Sequence, residues 1–341
     1  MIRIDGRSGG GQVLRTAVSL AAVTGEAVEV RNVRGARSTP GIRPQHRAAV
    51  DAVAACCDAA VTGNEVGSER LRFDPGPVTG GDVTIDVGTA GSVALVFDAV
   101  LPLATRLDAP LSVTATGGTA VEWAPTLAYL RRVKVDLLAR FGLDATVTCD
   151  RPGFFPAGGG RATLVVRPSA LRPLEVTDRG GLDAVTVQSV AASALADRDV
   201  AGRQATAARD ALRAAGTPAD AVRADHRAAD CPGSVVLVRG AYDGSLAGFS
   251  ALGARGKPAE DVGREAADAF GAFHAGPGAV DQYMADQLVV WVALAGGAYT
   301  APAVTDHVRT NRETVSAFGV DVSVDGEAPV RIEGPAPGTR S

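Results

Sequence analysis

The five residues Asp58-Ala-Ala-Val-Thr62 return in altered form at two later places in the chain, as Asp144-Ala-Thr-Val-Thr148 and Asp321-Val-Ser-Val-Asp325. Each copy follows a helical pattern, at residues 45–60, 126–141 and 311–318. Each copy also alternates residue types as a short strand does. The three stretches therefore predict the same sequence of helix, turn and returning strand. The interval between the second and third copies is about twice the first interval, which leaves room for an extra domain.

A second feature also recurs, a glycine-rich turn that leads into an apolar helix. It occurs at residues 9–14 (GGGQVL), at 88–95 (GTAGSVAL) and, less closely, at 285–290 (ADQLVV). Further helices are predicted at 12–23, 93–104 and 286–295, and strands at 27–33, 82–87 and 111–115. The simplest account is an α/β (α+β) fold of three repeated units with an insertion in the third.

The domain boundaries follow from turn-like segments. Residues 178–181 (DRGG) and 275–278 (AGPG) bracket the insertion. We therefore expect a discontinuous catalytic domain from residues 1–178 and 278–333, and an insert domain at 179–277. Within the insert, residues 200–215 form a helical pattern and 233–240 a strand. Residues 334–341 are predicted to be a disordered tail.

Composition excludes several classes of protein. The chain has 341 residues, a formal charge of −4 and 46% hydrophobic residues, so it is not a general polyanion binder coated in positive charge. Its four cysteines form no CxxC pair, which argues against a disulfide scaffold. The charged N-terminal segment does not resemble a signal peptide, and residues 288–304 are too short to span a bilayer. We expect a cytoplasmic protein that contacts no membrane.

Two segments carry candidate anion-binding groups. Residues 9–12 (GGGQ) precede a helix that bears Arg15, and glycines at a helix N-terminus can cradle a phosphate. Taken alone, such glycines more often form a tight turn packed between strand and helix. Residues 30–50 hold five arginines, together with Gln45 and His46, and none of these residues is acidic. Arginine forks bind phosphate oxygens in pairs, but a solvated basic loop would have the same composition.

Histidine and aspartate supply the remaining candidates. The four histidines show no zinc-binding spacing. His307 lies in the polar segment 305–311 (TDHVRTN), where a neutral imidazole could act as base or nucleophile. A single histidine without a partner is more often structural. Asp286 in the segment 283–287 (YMADQ) fits the first turn of an apolar helix, where aspartate commonly stabilises the helix start.

Taken in order, four blocks of the sequence resemble the RNA 3′-terminal phosphate cyclase family. They are IDGRSGGGQVLRTAVSL at residues 4–20, VRGARSTPGIRPQHRAAV at 33–50, RPGFFPAGGG at 151–160, and YMADQLVVWVALAGG at 283–297 followed by DHVRTN at 306–311. The resemblance covers nearly the whole chain outside the insert. It implies three units, each a four-stranded sheet with two helices, together with a smaller α/β insert domain.

The resemblance also implies an activity, its cofactors and its partners. ATP would adenylylate a histidine, AMP would pass to an RNA 3′-phosphate, and the neighbouring 2′-hydroxyl would close a 2′,3′-cyclic phosphate. A divalent cation, Mg or Mn, would assist the transfer. The partners would be RNA 3′-phosphate ends, and a homodimer is allowed.

The resemblance also implies the site residues, most of which lie in the matching blocks. The nucleophile would be His307. The nucleotide would contact Asp98, Pro125, Tyr283, Met284, Ala285, Asp286, Gln287 and Asn311, with Asn311 helping to hold His307. The phosphates and the RNA end would contact Arg15, Arg37, Arg43, Gln45 and His46.

The sequence departs from the family pattern at three positions, and two other functions stay open. Arg7 and Ser8 stand where the family has Gly-Glu, so the metal ligands are unknown. Asp98 replaces a common glutamine, and Pro152 replaces a histidine or arginine. One alternative is a catalytically silent relative that acts in ribosomal RNA processing. The other is a carbohydrate-modifying enzyme of the related enolpyruvyl-transferase fold.

Overall fold

The computed structural model describes residues 1–88 and 90–336, and within these residues the strands form four sheets of four strands each. The first unit consists of β1 (Ile2–Asp5), α1 (Gly11–Thr24), β2 (Val28–Arg31), α2 (Pro44–Cys57), β3 (Ala60–Thr62) and β4 (Arg70–Asp74). Its sheet has the order β1-β2-β4-β3. The first two strands are parallel and the other pairs are antiparallel.

The second unit repeats this plan. Its elements are β5 (Gly81–Asp86), α3 (Val93–Val100), a 3₁₀ helix (Leu101–Thr105), β6 (Leu111–Gly117), α4 (Leu127–Tyr129), a π-helical segment (Leu130–Val135), α5 (Asp136–Ala139), β7 (Ala145–Arg151) and β8 (Gly160–Val166). The sheet order is β5-β6-β8-β7, and β5 runs parallel to β6. The first, second, fourth and third strands therefore lie side by side in both units.

The third unit has the same plan, but other elements interrupt it. It starts with β9 (Leu174–Val176), and there follow β10 (Leu182–Ala192), a 3₁₀ helix (Ser193–Arg198), α6 (Val200–Ala214), β11 (Ala221–Arg227), β12 (Ser234–Tyr242), β13 (Leu246–Leu252) and α7 (Ala259–Ala275). The unit then resumes with α8 (Gln282–Gln287), α9 (Val289–Ala295), β14 (Gly297–Ala301), α10 (Asp306–Ser316), β15 (Ser323–Asp325) and β16 (Val330–Glu333).

The sheets confirm the predicted fold class. β9, β14, β16 and β15 lie in the strand order of the first two units, and the interrupting strands form their own sheet, β11-β10-β12-β13. The domain boundaries proposed at 178/179 and 277/278 stay a prediction. Thr89, in the second glycine-rich turn, and residues 337–341 of the predicted tail lie outside the described residues.

Several predicted helix limits are wrong, and each difference has a physical reason. The helix predicted at 45–60 ends at Cys57, because Asp58 adopts the left-handed conformation (φ 45°) and terminates it. The helix predicted at 126–141 is interrupted by the π-helical segment. The helix predicted at 286–295 begins at Gln282, where the Asp281 side chain caps it. Asp286 is therefore not a helix-start residue, and that interpretation is wrong.

Helix α1 joins the first unit to the third. Its apolar side chains, among them Leu14 and Val18, are fully buried in a core that all three units share. Polar side chains on the same helix bond to α10, where Gln12 Nε2 donates to Thr310 Oγ1 at 2.8 Å. The glycine-rich N-terminus of α1 is thus fixed close to the N-terminal half of α10.

The segment 151–160 packs the second unit against the insert elements. The Phe154 side chain lies over Gly233, where a Cβ would be 2.3 Å from the phenyl ring. Arg151 pairs with Asp230 at 3.0 Å. Gly159 (φ 65°) also faces Asp230, and a Cβ there would lie 1.9 Å from the carboxylate. These glycines therefore permit close backbone packing at this junction.

Across the described residues, 1–88 and 90–336, none of the helices combines the length and the apolar character that a bilayer crossing requires.

Candidate active site

A cavity of about 820 Å³ opens where the three units and the insert meet. Helices α1, α3, α8 and α10, the arginine-rich segment before α2, the residues before α4, and Ser250 and Leu252 of β13 form its walls. The predicted site residues that line it are Arg15, Arg37, Arg43, Gln45, His46, Asp98, Pro125, Tyr283, Asp286, Gln287, His307 and Asn311. The structure therefore brings together residues separated by almost the full length of the chain.

Two predicted site residues lie elsewhere. Met284 and Ala285 are fully buried, and neither lines the cavity. They belong to helix α8, whose opposite face carries the cavity-lining residues Tyr283 and Gln287. Met284 and Ala285 therefore pack in the hydrophobic core and do not face the cavity.

The N-terminus of α1 forms one wall and suits an anion. Its N-cap is Gly10, which has no side chain to accept from the first-turn N–H groups. A Cβ on Gly11 would lie only 2.1 Å from Nε2 of His46. Glycine at this position therefore lets the imidazole reach the start of the helix, beside N–H groups that favour negative charge.

His46 is a buried, neutral hydrogen-bond donor. Burial, together with the positive charges of Arg15, Arg34 and Arg43, lowers its pKa to about 3. Its Nδ1 accepts from the backbone N–H of Arg43 at 3.2 Å. In a neutral imidazole the proton is then on Nε2, so this nitrogen can donate to a ligand oxygen.

The arginines between residues 30 and 50 divide into two groups. Arg31 pairs with Glu29 and Arg47 with Asp51, and neither lines the cavity. The cavity group consists of Arg34, Arg37 and Arg43. Only this second group is placed to bind phosphate.

Arg34 and Arg15, which both line the cavity, are held in different ways. Arg34 donates to the carbonyls of Thr39 and Gly41 at 2.8 and 3.0 Å, so it also shapes the segment that carries Arg37. Burial lowers the pKa of Arg15, and Asp98 and Asp286 oppose this effect. In the part of the chain that the structure describes, the buried Nε of Arg15 has no hydrogen-bond partner. Arg15 therefore has a donor free for a ligand.

His307 lies at the start of α10, beside Asp286. Thr305 caps this helix by accepting from the N–H of Val308 at 3.2 Å. Nδ1 of His307 is 3.8 Å from Oδ2 of Asp286, and half of the imidazole is exposed to the cavity. Burial lowers the pKa of His307, and the charges of Arg37 and Arg15 lower it further. The imidazole is therefore neutral at pH 7.

Asp286 has the opposite shift. Burial raises its pKa to about 7, Lys134 and Arg15 act to lower it, and Asp98 raises it. The carboxyl group consequently changes its charge near neutral pH.

Asn311 bonds to groups other than His307. Its Oδ1 accepts from Thr16 Oγ1 at 3.0 Å, and its Nδ2 donates to the carbonyl of Asp286 at 2.8 Å. Asn311 therefore links α1, α8 and α10 through its two side-chain hydrogen bonds.

The wall formed by α8 is aromatic. The Tyr283 ring is half exposed and packs edge-on against Tyr129, with 6.3 Å between the ring centroids. Gln287 donates to the carbonyl of Tyr283 at 2.6 Å. On the adjacent wall, the carboxylate of Asp98 forms an ion pair with Lys134, whose side chain is only 2% exposed.

Sequence reasoning missed three residues of this region. Lys134 is one of only two lysines, and this rarity is a signal that could have found it. Asp281 is fully buried and accepts from Tyr129 Oη at 2.8 Å and from the Gly248 N–H at 3.1 Å, so it joins three parts of the fold. No pattern in the sequence marks Asp281 or the cavity residue Trp123.

Protein ligands for a metal are not gathered here. Among residues 1–88 and 90–336, no group of three or more His, Cys, Asp or Glu side chains is arranged to hold a metal ion. Of the two aspartates that line the cavity, Asp98 forms an ion pair with Lys134. The other, Asp286, lies beside His307.

The sequence also matches known proteins. The family model described as RNA 3′-terminal phosphate cyclase matches residues 6–324. An RNA 3′-terminal phosphate cyclase of Halobacterium salinarum is 50% identical over 94% of this chain and 96% of its own length. Another, from Methylococcus capsulatus, is 42% identical over 98% of this chain and 97% of its own length. Among solved structures, the enolpyruvyl transferase NikO from Streptomyces tendae gives a TM-score of 0.41 at 11% identity, covering 100% of this chain and 50% of that one.

Proposed function

Because this chain belongs to the RNA 3′-terminal phosphate cyclase family, we propose that it converts an RNA 3′-terminal phosphate to a 2′,3′-cyclic phosphate at the expense of ATP. One observation carries the proposal: His307 stands half exposed in a cavity that four arginines and a helix N-terminus also line. A neutral nucleophile and a set of phosphate-binding cations are what nucleotidyl transfer through a histidine requires.

In the first step, a nitrogen of His307 attacks the α-phosphorus of ATP. A phosphorus–nitrogen bond forms, the bond from this phosphorus to the bridging oxygen breaks, and pyrophosphate leaves with the electron pair. Nδ1 faces Asp286, so Nε2 is the nitrogen free to attack. The lowered pKa of His307 keeps its lone pair available at pH 7.

In the second step, an oxygen of the RNA 3′-phosphate attacks the same α-phosphorus. The phosphorus–nitrogen bond breaks, and AMP is transferred to the RNA end as a phosphoanhydride. In the third step, the 2′-hydroxyl of the terminal ribose attacks the 3′-phosphorus and loses its proton to solvent. A 2′,3′-cyclic phosphate forms, and AMP departs.

The basic residues neutralise the charge that gathers at each displacement. Arg37 and Arg43 lie on the segment before α2, and Arg15 offers an unpartnered Nε from α1. Neutral His46 and the N-terminal N–H groups of α1 add donors that carry no full charge. Such donors are already in place before the reaction, so little reorganisation is needed as charge develops.

The Mg or Mn ion expected with ATP has no ready-made set of ligands in the described residues. Mg²⁺ in many nucleotide sites is held mainly by substrate phosphates and water.

Labelled ATP tests the proposal directly. The protein is incubated with ATP labelled at the α-phosphorus and a divalent cation, and label on the protein is measured after acid and after base. We expect acid-labile, base-stable label that disappears in His307→Ala and persists in the control His226→Ala, which changes a histidine of β11 outside the cavity. Equal label on both variants, or none on the unchanged protein, would contradict the covalent mechanism.

The RNA reaction is tested separately. An oligoribonucleotide with a 3′-phosphate should gain a terminus that resists phosphatase, and only when ATP is present. Formation of that terminus without ATP, or by His307→Ala at the normal rate, would argue for a different reaction.

A further inference from the structure

Trp123 is the most exposed aromatic side chain among those that line the cavity. Its side chain is 95% exposed, although tryptophan is a large apolar residue that proteins usually bury. Its backbone has φ 65°, in the left-handed region that bulky residues rarely adopt. Both features disfavour the folded state, so the position calls for an explanation in function.

The segment that carries Trp123 is firmly anchored. The N–H of Leu127 donates to the carbonyl of Thr119 at 2.8 Å and closes the base of the loop. The N–H groups of Thr119 and Ala120 both donate to the carbonyl of Gly153. Thr126 Oγ1 lies 3.0 Å from Ser250 Oγ of the insert. The exposed indole is therefore carried by a loop that several hydrogen bonds keep in place.

The charge next to Trp123 disfavours phosphate as its partner. Glu122, its exposed neighbour, also lines the cavity and contributes negative charge at this rim. The positive groups, Arg15, Arg37 and Arg43, belong to other walls of the cavity. A nucleotide end that enters with its phosphate toward the arginines therefore has its base, not its phosphate, available to the rim.

We infer that Trp123 stacks on the nucleobase of the 3′-terminal nucleotide of the RNA, an inference that rests on the function proposed above. An RNA end enters from solvent, and the base next to its phosphate stays at the mouth, where a nearly fully exposed indole is found. Every base has a flat face, so this contact holds the end without selecting its sequence. We assign the adenine of ATP to Tyr283, which is less exposed than Trp123 and packs against Tyr129.

Two RNA substrates isolate this contact. They are an oligoribonucleotide with an intact 3′-terminal nucleotide and a 3′-phosphate, and the same oligomer with an abasic sugar at that position. The unchanged protein should use the first at least about 10-fold more efficiently, as expected for one stacked base. Trp123→Ala should use both equally well, and Trp123→Phe should keep most of the preference. The matched control is Phe155→Ala, which removes an aromatic ring 71% exposed outside the cavity.

The half-reactions separate the possible outcomes. Formation of the histidine-linked label from ATP needs no RNA, and it should be unchanged in Trp123→Ala. A loss of that label in Trp123→Ala would place the indole on ATP and overturn the inference. So would equal use of the two RNAs by the unchanged protein, or an undiminished preference in Trp123→Ala.

Fluorescence gives a readout that does not depend on catalysis. The chain has two tryptophans, and Trp291 is buried, so quenching of exposed indole emission reports on Trp123. The intact RNA should quench this emission more than the abasic RNA, and Trp123→Phe should abolish the difference. If label never forms but this difference is present, the proposed chemistry fails while the base contact stands. If label forms and the difference is absent, the base contact alone fails.

Discussion

Oδ2 of Asp286 lies 3.8 Å from Nδ1 of His307, and burial moves the pKa values of the two groups in opposite directions. The pKa of His307 falls below its usual value of 6.5, whereas that of Asp286 rises to about 7. Near neutral pH the pair therefore consists of a neutral imidazole and a carboxyl group that is half ionised. An ionised Asp286 favours the tautomer with the proton on Nδ1, which leaves the Nε2 lone pair free.

The first prediction concerns the pH dependence of adenylylation. Below pH 7 Asp286 is protonated and cannot hold that tautomer, so the rate of label formation should rise through about pH 7 and then level off. The pKa of His307 is lowered from 6.5, so its own titration lies below the midpoint of this rise. Asp286→Asn should lower the plateau about 10- to 100-fold and confine any remaining rise to below pH 6.5. Single-turnover labelling from pH 5.5 to 9 measures both effects, and an unaltered profile in the variant would exclude the role.

The second prediction concerns Asn311, which positions the backbone of Asp286. Asn311→Ala leaves the Thr16 hydroxyl and the Asp286 carbonyl without their partner in a buried place. We expect a loss of about 1–3 kcal/mol in the free energy of unfolding and slower labelling of His307. Thr16→Val is the matched control, because it removes only one of the two bonds. It should slow labelling less than Asn311→Ala does, and the opposite order would refute the linkage through Asp286.

The third prediction concerns Gly11, whose lack of a side chain admits His46. A Cβ at this position would overlap the imidazole at 2.1 Å, so Gly11→Ala should displace His46 from the helix N-terminus. We expect the efficiency of RNA 3′-phosphate use to fall at least about 10-fold, as for the loss of a positioned donor. The control is Gly271→Ala in α7, where a Cβ meets nothing within 4 Å. That variant should be active and about as stable as the unchanged protein, because alanine favours helix.

The fourth prediction concerns the ion pair between Asp98 and Lys134. Asp98→Asn leaves an almost fully buried ammonium without its partner, which should lower the free energy of unfolding by about 3 kcal/mol. Replacing both groups, as in Asp98→Asn with Lys134→Met, should recover part of this loss. Urea denaturation of the single and double variants measures the coupling. Additive losses would show that the pair contributes no coupling energy.

Lys134→Met alone gives a second test of the same network. The positive charge of Lys134 lowers the pKa of Asp286, so its removal should raise that pKa and shift the midpoint of the pH–rate profile above pH 7. A shift to lower pH would contradict the assigned direction.

The repeated units could be predicted because their signals are local. The turns at Asp58 and Asp144 lie between a periodic apolar helix and an alternating strand, and such patterns survive in the sequence whatever the surroundings. The limits of α8 and α9 could not be predicted in the same way. Asp281 caps α8 while it also accepts from Tyr129 and Gly248, which lie far away in the sequence. Contacts between distant segments leave no periodic pattern.

The sequence shows that arginines are concentrated before α2, but it does not show which of them line the cavity. A cluster of arginines predicts phosphate binding, but Arg31 and Arg37 look alike until the fold shows that Glu29 neutralises the first. Met284 and Ala285 share a matching block with Tyr283, yet helical geometry turns them into the core. A match between sequences does not show which side of a helix a residue faces.

The interruption of the third unit sets an order of assembly during synthesis. The partner of Leu174 in the parallel pair β9–β14 is Gly297, so this sheet cannot close until the intervening elements have left the ribosome. The first two sheets pair strands within residues 2–166, and both can form while the rest is still being translated. His307 and Asp286 are added in the last unit, so the cavity that Arg37 and Arg43 also line is complete only after that unit has been made.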